Sequence, residues 1–390
     1  MCLVWVLVVI FISGSLSGVT SFQSSQSHLV VLVHGLMGDY RDLEYLGEQL
    51  EERGCVVLLS KKNGLTKSLA GIETGAARLV EEIREMQVMY PALDKISFVG
   101  NSLGGLFSRF ALKLLSSHHY KEEKYETSSE DFYLTGDPTL ANKLTPHHFM
   151  TIATPHLGVR DHNYIQDRVN RALNSDWFVI PDILKTAVSM TMMRSGQELF
   201  LRDYDKDLGE TLIYRMSTEA VFVHPLKKFK RRRLYANLDN DFVVPLSTAA
   251  FLQMDEVRQL RHTHIYSEGA EAVNEAKIVH SITTPPSEEL SNSTCAEYSD
   301  ELHHREALYS YMRSSLDNLG WEKYVVHFPF SISPLAHNKL AALKRSPEWF
   351  FCDFLGFNQG NPIMLHAASF LMSEAEEVPE ASKVSKENTD

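Results

Sequence analysis

The chain of 390 residues is long enough for two or three domains, or for one large domain with insertions, which we favour. Its 44% hydrophobic and 23% charged residues are typical of a folded protein and exclude a fibrous or fully disordered chain. The formal net charge of −12 would repel a phosphate backbone, so no nucleic acid is expected as the main partner.

The chain begins with a short apolar segment. Residues 2–12 form an unbroken apolar run that is followed by a Gly/Ser-rich stretch. The run is shorter than the about 20 residues of a membrane-spanning helix, so residues 1–21 are predicted to be a signal peptide or a membrane anchor. We therefore expect the secretory pathway or an organellar or lipid-droplet membrane surface as the location, or the cytoplasm if the segment is not a signal.

Buried strands and amphipathic helices alternate after this segment. Helical spacing of apolar residues predicts two helices, at 41–52 and 69–90. Apolar runs rich in β-branched residues predict six buried strands, at 29–33, 55–59, 95–100, 148–153, 234–238 and 324–328. This succession predicts an α/β fold with a mostly parallel, doubly wound sheet.

One α/β domain over residues 29–372 is expected to carry several inserted segments. Residues 154–233 are far more than a crossover needs, which predicts a cap or lid. The polar, acidic segments 118–144 and 266–302 predict surface loops or partly disordered insertions. Residues 373–390 predict a disordered acidic tail.

A Gly-x-Ser-x-Gly motif lies between the third predicted strand and an apolar helix at 103–115. At a strand-to-helix turn, Gly100 and Gly104 leave room for a tight bend that exposes Ser102 above the sheet edge. The N-terminus of the following helix favours developing negative charge beside that side chain. The motif therefore predicts Ser102 as a nucleophile.

Acyl chemistry on Ser102 needs hydrogen-bond donors for an oxyanion. A Gly-rich turn, His34 to Gly38, follows the first strand directly. The backbone N–H groups of Leu36 and Leu103 are the expected pair of donors, each worth about 10²–10³ in rate. His34 comes too early in the chain to be the base of this fold, so it is expected to hold the loop.

The acid and the base are expected to follow later strands, in the chain order Ser, acid, His. Asp239 and Asp241 both follow the strand at 234–238, and we favour Asp241 as the acid. Of the late histidines, His366 lies in an apolar helical stretch, whereas His337 lies in a loop after the last strand. A triad follows in which Ser102 attacks, His337 moves the proton and Asp241 fixes the imidazole tautomer.

Seven motifs of known type occur in order along the chain. They are His34-Gly35-Leu36, Gly-Asn-Ser-Leu-Gly-Gly at 100–105, Ala153-Thr154-Pro155-His156-Leu157-Gly158, Leu199-Phe200-Leu201-Arg202-Asp203, Tyr235-Ala236-Asn237, Asn240-Asp241 with Val243-Val244-Pro245, and Ala336-His337-Asn338. Together they resemble the eukaryotic putative serine esterase family, which is lipase-like and includes fungal lipid-droplet phospholipases. The resemblance implies an α/β-hydrolase fold and agrees with the roles given to Ser102, Asp241 and His337.

The predicted cap indicates the kind of substrate. Its large apolar residues Trp177, Phe178 and Ile183, with Met37 beside the oxyanion turn, are expected to line an acyl-chain pocket, or else to pack the cap on the sheet. A lipid ester is thus the expected substrate. The basic segment Lys227–Arg233 either docks on an anionic membrane or droplet surface or is a solvated loop before a strand, which we favour slightly.

Metal and cofactor chemistry are not expected. The paired histidines lack Cys or carboxylate neighbours at metal-ligand spacing, and the four cysteines include no CxxC pair. A non-catalytic scaffold is a weak alternative because all three triad residues are present. An acyltransferase or a thioesterase on the same triad stays open, since an alcohol competes with water for the acyl-enzyme.

Overall fold

The structure is a computed structural model, and it describes residues 27–119, 132–159, 190–241, 243–266, 276–287, 301–328, 336–343 and 356–373. The predicted N-terminal signal or anchor and the predicted tail beyond residue 373 lie outside the described residues. Within the described residues, no helix is long and apolar enough to cross a membrane.

A seven-stranded sheet forms the centre of the described chain. Its strands in chain order are β1 His28–Val33, β2 Val56–Leu59, β3 Lys95–Asn101, β4 Thr145–Ile152, β5 Arg231–Asn237, β6 Lys277–Thr284 and β7 Trp321–His327. The spatial order is β2-β1-β3-β4-β5-β7-β6, and all neighbours are parallel except β6 with β7. The six predicted strands correspond to the six parallel ones.

Helices cover both faces of the sheet. They are α1 Glu44–Glu51, α2 Ile72–Met89, α3 Leu103–Leu115, α4 Met193–Leu199, α5 Leu212–Thr218, α6 Ala220–Lys227, α7 Leu246–Ala250, α8 Met254–Arg261, α9 Glu301–Asp317, α10 Ala336–Leu340 and α11 Asn361–Met372. Helices α1, α10 and α11 pack in one apolar cluster, and α2 to α9 contribute to the cluster on the opposite face. This arrangement confirms the predicted α/β-hydrolase architecture.

Burial explains why the parallel strands were readable from the sequence. All six residues of β1 are buried, as a strand covered by helices on both faces requires. In the register of β1 with β3, Val33 lies opposite Gly100, so the two carboxyl ends reach the same edge. The segments after β1, β3, β5 and β7 therefore converge at that edge, where ligands bind in open parallel sheets.

The two predicted insertions need correction. Strand β6 lies within 266–302 and pairs antiparallel with β7, so this segment is not only a surface loop. Its residues are half-buried or exposed and form no apolar run, which is why the pattern was missed. In the other segment, 118–144, Leu134 and Leu144 are fully buried and form a β-bridge, which anchors its C-terminal half on the core.

Candidate active site

Ser102 lies at a sharp turn between β3 and α3. Its backbone angles, φ 54° and ψ −126°, are in a region that residues other than glycine rarely adopt. The turn is fixed to the neighbouring strand because the Ser102 N–H donates to Ile152 O of β4 at 2.8 Å. As the residue that precedes α3, Ser102 lies at the positive end of that helix.

Close backbone approaches explain the glycines around this turn. A Cβ on Gly100 would collide with the backbone of Gly105, and one on Gly104 would collide with Val33 O at the end of β1. A Cβ on Gly35 would lie 2.7 Å from Ser102 Cβ. The first two glycines therefore give the room for a tight turn that their spacing predicts, and the third lets the loop after β1 lie directly against Ser102.

His337 and Asp241 form a buried pair. His337 Nδ1 lies 2.9 Å from Asp241 Oδ2. Because a carboxylate only accepts hydrogen bonds, this contact assigns the proton to Nδ1 and leaves the Nε2 lone pair free to accept another. His337 is the second residue of the short helix α10, not part of a loop as the sequence indicated. The Ala336 N–H donates to Asn240 O at 3.3 Å, which joins α10 to the loop after β5 that carries Asp241.

Asp241 is held by four hydrogen bonds. Its Oδ1 accepts from the backbone N–H groups of Val243 and Val244 at 2.9 and 2.8 Å. Its Oδ2 accepts from Asn237 Nδ2 at 2.8 Å in addition to His337. Burial favours the neutral acid, but the electrostatic interaction and hydrogen bond with His337, with the Val244 and Asn237 bonds, hold the pKa of Asp241 below its usual value. The carboxylate is therefore ionised.

The predicted oxyanion donors belong to the two segments that meet at Ser102, the loop after β1 and the start of α3. Leu103 is the first residue of α3, so its N–H has no acceptor one helical turn earlier. Leu36 lies in the loop whose Gly35 packs against Ser102. The next N–H, that of Met37, donates to Ser68 Oγ at 2.8 Å and is therefore occupied. Leu36 therefore stays the predicted donor of this loop.

The other candidates from the sequence have different surroundings. Asp239 Oδ1 lies 3.8 Å from Arg261 Nη2. His366 of α11 is half-buried, and its Nδ1 lies 2.8 Å from the Tyr235 hydroxyl of β5. His34 is buried and its Nδ1 lies 2.9 Å from Gly35 O, in keeping with a role in holding the loop. Met37 is 44% exposed beside the site, whereas Trp177, Phe178 and Ile183 lie outside the described residues.

A cavity of about 270 Å³ opens at the same sheet edge. Its wall includes the segment Leu157–Val159 after β4, the segment Pro245–Thr248 after the loop that carries Asp241, and Val257 and Arg261 of α8. The described part of its wall is mainly apolar, and its charged side chains there are Arg261 and Arg313. Ser102, Asp241 and His337 are not among the described residues that line it.

The sequence analysis did not predict the contacts of two side chains near the site. Asn237, at the end of β5, donates to Asp241, and only its place in a Tyr-Ala-Asn motif indicated it. Arg109 of α3 is buried and donates to the carbonyls of His156 and Met216 at 3.1 and 2.7 Å, a role without any local signal. Among the described side chains, no group of three or more His, Cys, Asp or Glu is placed to hold a metal ion.

The chain is similar to known proteins over most of the described domain. Residues 23–253 match a family model described as putative serine esterase (DUF676), a range that includes Ser102 and Asp241 but ends before His337. The putative lipase ROG1 of Saccharomyces cerevisiae is 30% identical over 69% of this chain and 34% of its own length. The putative lipase C4A8.10 of Schizosaccharomyces pombe is 28% identical over 59% of this chain and 27% of its own. The chain thus spans about a third of the length of these curated relatives.

Two solved structures are also similar in outline. The peroxisomal alpha-beta-hydrolase Lpx1 of Saccharomyces cerevisiae aligns with 93% of this chain and 82% of its own at 11% identity and a TM-score of 0.36. The Bacillus licheniformis lipase BlEst2 in its propeptide form aligns with 55% of this chain and 36% of its own at 16% identity and a TM-score of 0.33. At such low scores the fold assignment rests on the sheet order and helix layers of this chain.

Proposed function

Because the chain belongs to the putative serine esterase family, we propose that it is a serine hydrolase that cleaves carboxylic ester bonds of lipids through Ser102, His337 and Asp241. The observation that carries the proposal is the 2.9 Å contact of His337 Nδ1 with Asp241 Oδ2, at the sheet edge where Ser102 is held in the strained turn. Parallel strands lie about 4.8 Å apart, so the ends of β3 and β5 are about 10 Å apart, within reach of an intervening imidazole.

Acylation is the first half of the reaction. Ser102 Oγ attacks the ester carbonyl while His337 Nε2 accepts its proton, and the Leu36 and Leu103 N–H groups bind the oxyanion. Asp241 stabilises the imidazolium that forms. When the tetrahedral intermediate collapses, the bond to the alkoxy oxygen breaks, His337 returns the proton to that oxygen, and the alcohol leaves. The acyl group is now an ester of Ser102.

Deacylation repeats these steps with water. His337 takes a proton from the water molecule as its oxygen attacks the acyl carbonyl, and it then protonates Ser102 Oγ as the acid product leaves. Asp241 stays ionised throughout, in agreement with its lowered pKa. A bulkier alcohol in place of water would give a transferase product, so the identity of the product belongs to the test.

The apolar surroundings favour lipid esters over small hydrophilic esters. The cavity at the sheet edge has room for part of an acyl chain, and the charged groups in the described part of its wall are two arginines. The relatives that carry the name lipase support the same substrate class. An acyl chain in the cavity would lie against Leu157, Leu246 and Leu252.

The experiment measures fatty acid released from triacylglycerol and phospholipid emulsions and from p-nitrophenyl esters of increasing chain length. The wild type is expected to favour long chains, and Ser102→Ala is expected to lower turnover at least about 10³-fold. Ser116→Ala, which removes another buried hydroxyl at the far end of α3, is the matched control. Equal activity of wild type and Ser102→Ala, or no activity on any ester, would contradict the proposal.

A further inference from the structure

A series of hydrogen bonds begins at the loop His34–Gly38 after β1, which carries Leu36 and is called the oxyanion loop below. The Met37 N–H donates to Ser68 Oγ at 2.8 Å, and that hydroxyl donates to Leu65 O at 2.6 Å. The Leu65 N–H donates back to Gly38 O at 2.7 Å. The loop after β1 is thus fixed at two points to the 3₁₀ turn Leu65–Ala70, and Ser68 is fully buried at the junction.

Helix α4, in the predicted cap, binds the other side of the same turn. Ser195 Oγ donates to Ser68 O at 2.7 Å and accepts from the Gly71 N–H at 3.0 Å. One turn later in α4, Glu198 Oε2 accepts from the Ile72 N–H at 2.6 Å, at the start of α2. Ser195 and Glu198 are both buried. Helix α4 is therefore linked to the oxyanion loop through the turn Leu65–Ala70. Ser68 makes the hydrogen bond on the loop side, and Ser195 makes those on the side of α4.

The backbone around these bonds admits little adjustment. Met37 and Leu65 have φ values of 53° and 54°, in the left-handed region that is unfavourable for such side chains unless their surroundings fix it. A Cβ on Gly71 would lie 2.7 Å from Arg194 Cγ, so α4 packs directly on the backbone of the turn. If the Ser68 bond is removed, the Met37 N–H loses its acceptor, and the backbone next to Leu36 keeps only the Leu65–Gly38 bond to the turn.

We propose that Ser68 and Ser195 are positioning residues that hold the Leu36 N–H in place for the oxyanion and thereby couple the cap helix α4 to turnover. This inference rests on the proposed function. It differs from a role in stability alone because an oxyanion donor acts on the transition state more than on the bound substrate. A misplacement of about 1 Å is enough to cost about 10²-fold in rate.

The test compares kcat and KM of the full chain on a soluble p-nitrophenyl ester. Ser68→Ala is expected to lower kcat about 10- to 100-fold while KM changes less than about twofold. Ser195→Ala is expected to lower kcat by a smaller factor. Because the two serines act in series, the double variant is expected to be no slower than Ser68→Ala alone. Ser116→Ala, a fully buried serine that also donates to a helix carbonyl, is expected to keep the wild-type kcat.

Several results would overturn the inference. An unchanged kcat in Ser68→Ala, or a double variant whose losses multiply, would show that the serines do not act in series on the oxyanion. Loss of a cooperative thermal transition in both single variants would also contradict it, since the bonds would then serve folding. These failures are distinct from failure of the proposed function, in which the wild type itself is inactive or Ser102→Ala is as active as the wild type.

Discussion

Ser102 combines a rare backbone conformation with the start of a helix, and the surrounding backbone leaves no alternative. Its φ of 54° is maintained by the bond to Ile152 O and by contacts that exclude a Cβ at Gly100 and Gly104. Strain of this kind costs of order 1–3 kcal/mol and persists only where the packing over-determines it. These residues were predictable from the sequence because the Gly-x-Ser-x-Gly spacing encodes the close approaches directly.

The choice between the two aspartates gives a sharp residue-scale prediction. Asp241→Asn keeps the size of the side chain but favours the wrong imidazole tautomer, so kcat is expected to fall by about 10⁴ with little change in KM. Asp239→Asn is the matched control, because Asp239 pairs with Arg261 and is expected to leave kcat within about threefold. Steady-state kinetics on one soluble ester decide the matter. A large loss in Asp239→Asn with a small loss in Asp241→Asn would reverse the assignment.

At the scale of elements, Arg109 joins three parts of the site that are distant in sequence. From α3 it donates to His156 O in the loop after β4 and to Met216 O of α5. No carboxylate pairs with it in the described part of the chain, and burial lowers its pKa to about 9, so it is still charged at neutral pH. The charge is stabilised by these carbonyl oxygens, and the guanidinium also lies 3.3 Å from Ser217 Oγ and 3.4 Å from His156 Nδ1.

Removing this guanidinium is expected to cost stability. Arg109→Met leaves buried carbonyls unpaired, which predicts a loss of about 2–4 kcal/mol in the free energy of unfolding. Arg109→Lys is expected to recover less than half of it, because an ammonium cannot reproduce the planar fork. Arg84→Met breaks an exposed pair with Asp137 and is expected to cost less than about 1 kcal/mol. Urea unfolding measures all three, and equal losses at positions 84 and 109 would refute this role.

Glu198 makes the contact between α4 and α2 sensitive to pH. Burial raises the pKa of its carboxyl, while the Ile72 N–H and Arg194 oppose the shift. A folded-state pKa above the unfolded value means that the contribution of Glu198 to stability is greatest below the unfolded pKa and is lost as pH rises through the folded value. Between pH 4 and 7, the wild type is therefore expected to lose stability relative to Glu198→Gln. Unfolding at stepped pH tests this, and a difference that is constant or grows the other way would disprove it.

The elements themselves were predictable to different degrees. The parallel strands read as apolar runs because helices bury both of their faces, whereas β6 is an edge strand with exposed positions and gave no such signal. His337 was placed after the last parallel strand, but the short helix that carries it has only five residues and too few for a periodic pattern. Ser68, Ser195 and Arg109 act through contacts between distant segments, which no local pattern encodes.

At the scale of the whole molecule, the basic segment Lys227–Arg233 lies at the amino edge of the sheet, opposite the carboxyl edge that carries Ser102. Its arginines begin β5, whose seven residues place them about 20 Å from the carboxyl edge. Arg232 and Arg233 are buried, and Arg231 and Arg233 both pair with Glu322. The three arginines, half of the basic residues of the segment, therefore stabilise the fold. Docking of the segment on a lipid surface would turn Ser102 away from the lipid.

This position predicts how charge removal affects lipid hydrolysis. Replacing Lys227, Lys228 and Lys230 by Gln removes the charges that precede β5 while leaving its arginines intact. Hydrolysis of emulsions with and without phosphatidylserine is expected to stay within about twofold of the wild type, as is hydrolysis of a soluble ester. A selective loss on the anionic emulsion would instead favour this segment as a docking surface, with a salt dependence set by a Debye length of about 8 Å.

The central claim is that Ser102 is the nucleophile of an assembled triad, and covalent labelling tests it most directly. The wild type is treated with a fluorophosphonate probe, and the modified peptide is identified by mass spectrometry. We expect one label on Ser102, slower labelling of Asp241→Asn and none of Ser102→Ala. Equal labelling of wild type and Ser102→Ala, or a label on another residue in an active wild type, would contradict it.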